Sequence, residues 1–283
     1  MADKTGTIGL LTAFSPEIFK SEYFMRIISG VIDALRTTPY ELKFIMVRDE
    51  ESIETSENIL QKRAVDGLLL LTWRIHPRYI EEAQQGYKTL PIVVINDYLP
   101  GIKANIVYSD AAAGARLAMH YLLNRGYRRI GMLQGPDEAS LDARAREQTF
   151  REILRDEKIE LDPAHFKKCD YFFEEDGYLK TLEMIQTAAA LPRALLCFND
   201  DLALGALRAF QEEKISVPQE VAVIGFDGIE RGKYAHPAMT TVRQPLEQMG
   251  REMVRVVTGL IRGELEAPVQ VKFDPQLVIR QSA

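Results

Sequence analysis

Short aliphatic runs alternate with longer amphipathic ones along this 283-residue chain, and the alternation points to an α/β fold in which helices cover parallel β-sheets. Two further features support it. The halves of the chain echo each other: Ile8-Gly9-Leu10-Leu11 returns as Ile130-Gly131-Met132-Leu133, and Val93-Val94-Ile95-Asn96-Asp97 as Leu195-Leu196-Cys197-Phe198-Asn199-Asp200. Polar residues also recur just past several aliphatic runs, where a parallel sheet presents loops and helix N-termini to ligands.

The first series opens with the aliphatic run Thr7–Leu11, a strand, followed by Tyr23–Leu35, whose apolar residues recur at helical spacing. Leu42–Val47 reads as the next strand and Glu54–Arg63 as a helix; Gly67–Leu71 and Arg78–Gly86 repeat the pair, and Ile92–Ile95 closes the series. The order is βαβαβαβ. In the second series Ala111–Arg125 is a helix, stopped by Gly126 with Arg125 in its last turn. Ile130–Leu133 is a strand, Ala143–Asp156 and Gly177–Ala188 are helices, Ala194–Phe198 is a strand, Asp201–Glu213 a helix and Val221–Phe226 a strand. No low-complexity linker divides the series, so two lobes would be joined by short crossings.

Composition excludes several classes of function. With 46% hydrophobic and 27% charged residues the chain can bury a large core, and a net charge of -6 gives it no electrostatic reason to hold a phosphate backbone by itself. No stretch approaches the roughly 20 apolar residues of a membrane span, and Met1-Ala2-Asp3-Lys4 runs into a strand without a signal-peptide core, so a cytoplasmic protein is expected. Cys169 and Cys197 read as small hydrophobes, Cys197 lying inside an apolar run. The sequence has no G-x-G-x-x-G, P-loop, G-x-S-x-G or H-E-x-x-H motif. His76, His120, His165 and His236 are scattered without ligand spacing and most read as surface or loop residues, so neither catalysis nor a metal or cofactor is expected. Arg125, Arg128 and Arg129 complement a helix end rather than mark a nucleic-acid surface.

The strand-end residues admit two readings. Asp227 closes the run Ala222-Val223-Ile224-Gly225-Phe226-Asp227-Gly228, Asn96-Asp97 and Asn199-Asp200 follow two other strands, and Ser15–Glu22 follows the first. They are turn formers and N-caps, as Asn199 or Asp200 would be ahead of Leu202-Ala203-Leu204, or they converge on a polar ligand. A desolvated carboxylate at Asp227 needs a partner in either case.

Five blocks in fixed order carry a resemblance that spans about Thr7 to Arg280. They are His120-Tyr121-Leu122-Leu123-Asn124-Arg125-Gly126-Tyr127-Arg128-Arg129-Ile130, Ala143-Arg144-Ala145-Arg146, Phe198–Ala206, Val217-Pro218 with Val221–Asp227, and Thr240-Thr241-Val242-Arg243-Gln244-Pro245 with Met249-Gly250. Together they resemble the effector-binding core of the LacI/GalR family of bacterial transcriptional regulators. The resemblance implies two Rossmann-like lobes with parallel sheets, periplasmic binding protein-like type I, joined by three crossovers. By position, residues 1–108 plus 244–268 would form the N-terminal lobe and 109–243 plus 269–283 the C-terminal lobe, with the last 12 or so residues, ending in Leu277-Val278-Ile279-Arg280, returning as a strand.

The same likeness implies a small effector held between the lobes, with Arg146, Asn199 and Asp227 as polar readers and Phe172 stacking on it. A guanidinium fork, an amide and a carboxylate together suit a polyhydroxyl compound such as a sugar, and Arg146 would pair with Asp227 in its absence. Tyr23 and Phe24 stand where the family has an aromatic pair, after a first loop lengthened within Ala13–Lys20. Asn96 replaces a common aspartate, Gly228 replaces a second aspartate and would loosen that turn, and Trp73 either stacks on the ligand or packs its lobe. The implied partners are a sugar-like effector, a second copy in a homodimer, and operator DNA reached only through a helix-turn-helix head that this sequence does not contain. The alternative is the sugar-binding protein of a transport system whose export signal has been trimmed.

Overall fold

The computed structural model describes residues 5–13, 17–47, 65–71, 90–95, 103–136 and 141–283. Its contacts separate the chain into two units, Met1–Ser109 with Pro245–Phe273 and Asp110–Gln244 with Asp274–Ala283, so the backbone passes three times from one to the other.

In the first unit the aliphatic runs become β1 (Thr7–Ala13), β2 (Glu41–Val47), β3 (Gly67–Leu70), β4 (Ile92–Ile95), β5 (Asn105–Ser109) and β11 (Gln270–Phe273). They form one sheet in the order β11-β5-β4-β3-β1-β2, every pairing in it parallel. One turn of helix, α1 (Glu17–Lys20), precedes α2 (Glu22–Leu35). The stripe Ile27, Ile28, Val31 and Leu35 of α2 packs with Ile8, Leu10 and Leu69 of the sheet and with Met249, Met253 and Val257 of α7 (Leu246–Arg262). The two helices meet backbone to backbone. A Cβ at Gly30 would overlap the carbonyl of Glu247, and one at Gly250 the carbonyl of Ile27.

The second unit holds β6 (Ile130–Gln134), β7 (Phe166–Lys168), β8 (Ala194–Cys197), β9 (Ala222–Asp227), β10 (Thr240–Arg243) and β12 (Gln276–Val278), ordered β12-β10-β9-β8-β6-β7. Only the β10–β12 pairing is antiparallel. Strand alternation divides its core in two. Ala194, Leu196, Ile224 and Phe226 pack with Met119 of α3 (Ala111–Asn124) and Phe150 of α4 (Leu141–Asp156). Leu195, Cys197 and Val223 pack with Met184 of α5 (Glu174–Thr187) and Phe210 of α6 (Asp200–Glu212).

Several expectations need correction. Residues 270–273, expected in the second lobe, form β11 in the first sheet, because Val271 and Phe273 pack on the first core and the Asn105 side chain accepts from the Val269 N–H at 2.9 Å. The single closing strand expected over the last 12 or so residues is instead two short ones, β11 in the first sheet and β12, Gln276–Val278, in the second. His165 is buried, its Nε2 2.6 Å from the Ala190 carbonyl, because the 3-10 turn Pro163–His165 docks against β6. Strands β5, β7 and β10 and helices α1 and α7 have no counterpart in the sequence reading. The expected helices Glu54–Arg63 and Arg78–Gly86 lie outside the described residues.

Candidate functional site

The carboxyl ends of β6, β8, β9 and β10 lie at one edge of the second sheet, since these strands run parallel, and they bring Gln134, Asn199, Asp227 and Gln244 to that edge. Helix α4 adds Arg146, 3% exposed. Its guanidinium carbon sits 3.6 Å from the Phe226 ring centroid and 4.3 Å from that of Phe198, a cation held between two aromatic faces. Nη1 donates to the Phe198 carbonyl at 2.5 Å and Nη2 lies 3.9 Å from Asp142, leaving Nε buried without a hydrogen-bond partner.

The expected ion pair between Arg146 and Asp227 is not formed. The rings and the Phe198 carbonyl direct the guanidinium elsewhere, and Asp227 Oδ1 instead accepts from Gln244 Nε2 at 2.7 Å. Burial pushes the Asp227 carboxyl up to about 7, while the Arg146 charge and the Gln244 hydrogen bond pull it down. Asp200, wholly buried, is raised well above the usual carboxylate range by burial and by the charge of Asp227. It accepts from Thr241 Oγ1 at 2.6 Å and from the Ile229 N–H at 2.8 Å, so it ties β10 and the turn after β9 to the start of α6.

That turn is not loose. Asp227 has φ 113° and Gly228 φ 76°, and a Cβ on Gly228 would strike Arg243, so glycine is the residue this close turn requires. Asn199 realises the cap reading: Oδ1 accepts from the Leu202 N–H at 2.8 Å, and Nδ2 donates to the Phe172 carbonyl at 2.9 Å. The Phe172 ring lies 5.0 Å from that of Phe198, so Asn199 also fixes an aromatic beside the Arg146 stack.

In the first unit Tyr23 and Phe24 occupy the first turn of α2, edge to face at 5.3 Å and partly buried against the core. Thr12 at the end of β1 and Ser109 at the end of β5 are buried with hydroxyl groups that have no hydrogen-bond partner. Asn96 and Trp73 lie outside the described residues.

Sequence reasoning missed Gln134, Thr241 and Gln244, and it missed Asp200 as a buried acid. Gln134 is fully buried, with Nε2 donating to the Ala143 carbonyl at 3.0 Å and Oε1 unpartnered. Thr241 and Gln244 stand inside the Thr240–Pro245 block, which was the available signal. Cys169 is buried and its thiol pushed up to about 12, and burial raises Cys197 likewise, so both stay protonated as small hydrophobes. Among the described residues no group of three or more His, Cys, Asp or Glu could hold a metal ion, and no helix is long and apolar enough to cross a membrane. A cation between aromatic faces, a carboxyl that exchanges its proton near neutrality and an array of amides can recognise hydroxyl-bearing polar compounds.

Comparison with known proteins gives a consistent result. A family model described as a periplasmic binding protein-like domain matches residues 119–283. The HTH-type transcriptional repressor PurR of Yersinia enterocolitica is 30% identical over 282 residues, covering 98% of this chain and 80% of the repressor. The ribose operon repressor of Haemophilus influenzae is 27% identical over 280 residues, covering 99% and 81%. The solved complex of the transcriptional regulator CelR with cellobiose superposes with a TM-score of 0.88 at 29% identity, covering 99% of this chain and 85% of that one.

Proposed function

This chain belongs to the LacI/GalR family of transcriptional regulators with a periplasmic-binding-protein-like core, and from that membership we propose that it senses a small polar effector, a sugar or sugar derivative, and thereby controls operator binding by a helix-turn-helix head. The observation that carries the reading is the buried Arg146 stacked between Phe198 and Phe226, with Asp227 at the end of the adjoining strand. Arg146, Asp227 and Phe172 are the proposed second-unit contacts; Asn199 joins them by placing Phe172. Tyr23, Phe24, Asn96 and Trp73 are the proposed first-unit contacts. The effector acts by linkage: it favours one state of the protein, and operator affinity changes by the coupling free energy. The protein is read as a cytoplasmic non-enzyme. Names such as ribose operon repressor among its relatives, and the cellobiose bound to CelR, support a saccharide ligand and favour regulation over transport.

The test is a melting-temperature screen across sugars, ribose and cellobiose among them, with sugar phosphates, polyols and nucleobases. A ligand bound only by the native state must raise the melting point. Arg146→Lys keeps the charge but loses the flat face that stacks, and it should weaken binding about tenfold or more. Undiminished affinity in a folded Arg146→Lys protein would remove Arg146 from the site, and a screen in which only nucleobases bind would replace the saccharide assignment.

A further inference from the structure

We propose that Gln244 is the positioning residue for the Asp227 carboxyl and passes the state of that carboxyl to the stretch of chain entering the first unit; as a route out of the ligand site, this rests on the reading that Asp227 meets the effector. Gln244 is buried directly after β10. Its Nε2 donates to Asp227 Oδ1 at 2.7 Å and its backbone N–H donates to the Asp227 carbonyl at 3.1 Å, so one residue grips the aspartate by both side chain and main chain. Asp227 needs the grip, because φ 113° is a conformation that residues with a Cβ avoid.

Pro245, the next residue, belongs to the first unit. Two residues further on, Glu247 is held by Arg26 of α2 through a bidentate pair, Nε to Oε1 at 2.7 Å and Nη2 to Oε2 at 2.9 Å. The segment 244–247 is therefore tied at one end to the candidate ligand residue. At the other it is tied to the helix whose first turn carries Tyr23 and Phe24. A hydroxyl donating to the Asp227 carboxyl shares its acceptor with the Gln244 amide, so the amide and the backbone behind it respond to occupancy. Glutamine is well matched to this position, since it reaches the carboxyl, donates, and adds no second charge beside a buried acid.

The proton itself serves as the probe, since it binds the same carboxyl. In protein labelled with carbon-13 and nitrogen-15, nuclear magnetic resonance would follow the Asp227 carboxyl, the Gln244 side-chain amide and the backbone amides of Leu246 and Glu247 through the neutral range. All should share one midpoint. Gln244→Met keeps the length and loses the donor; it should raise the Asp227 midpoint by about one pH unit or more and flatten the Leu246 and Glu247 response. Among the described residues, Arg146 and Asp142 of α4 and Asp200 and Asp201 of α6 are titratable or charged groups around this carboxyl, and that change leaves them in place.

A wild-type Gln244 signal that ignores the Asp227 titration overturns the proposal without any variant. An unchanged midpoint in folded Gln244→Met does the same. Undiminished effector binding by a folded Asp227→Asn protein, with the shared midpoint present in the wild type, instead retires the ligand role of Asp227 and keeps the positioning role of Gln244.

Discussion

Asp227 is a residue at which pH should act on this protein. Its carboxyl is raised from 3.8 to about 7, so the native state holds a proton that the unfolded chain has already released. The stability this supplies is complete below about pH 4 and is lost as pH rises through about 7. Asp227→Asn escapes that loss: urea unfolding at about pH 8 should find the variant more stable by roughly 2–4 kcal/mol, the difference closing near pH ~4. A variant no more stable at the higher pH would show that Asp227 is ionised without penalty. Asp227 and Arg146 are legible in the sequence because each sits at a fixed place in a local block. Their partners are not, because the choice is made across the fold. Gln244 reaches Asp227 over 17 positions and Thr241 reaches Asp200 over 41, and Arg146 turns from its expected carboxylate to two phenylalanine faces that no local pattern announces.

Among the elements, the pairing of α2 with α7 leaves no room for a side chain at its contact. Gly30 and Gly250 let the helices touch at the main chain, with the Arg26–Glu247 pair alongside. Gly250→Ala should force them apart and cost about 1–3 kcal/mol in urea unfolding despite alanine's better helix propensity, because overpacking outweighs the propensity gain. A neutral or stabilising result would mean that the helices separate freely. Periodicity exposes β1 to β4, β6, β8, β9 and the helices α2 to α6, all long or strongly apolar. It misses β7, three residues with two lysines on a sheet edge, and β5, whose first residue is an asparagine serving as a bracket to Val269. The stripe of α7, Leu246, Met249, Met253 and Val257, is as regular as that of α2, yet in the sequence it stands hidden within a crossover segment.

For the molecule as a whole, assembly is the property the surface speaks to. Phe44 and Met46 project from the edge strand β2, and Met25 and Ile32 from α2, each 37–48% exposed. We expect these exposed apolar side chains to be covered by a second copy in a homodimer. Sedimentation should give a dimer at micromolar protein, with Phe44→Glu shifting it toward monomer; a monomeric parent would overturn the expected homodimer. The order of the chain also bears on synthesis. The first unit is begun at β1 but gains α7 and β11 only after most of the second has been translated, and the second gains β12 later still. The first unit cannot mature until nearly all of the second has been made, so the nascent protein must keep the greasy side of α2 from harm until its partner helix emerges.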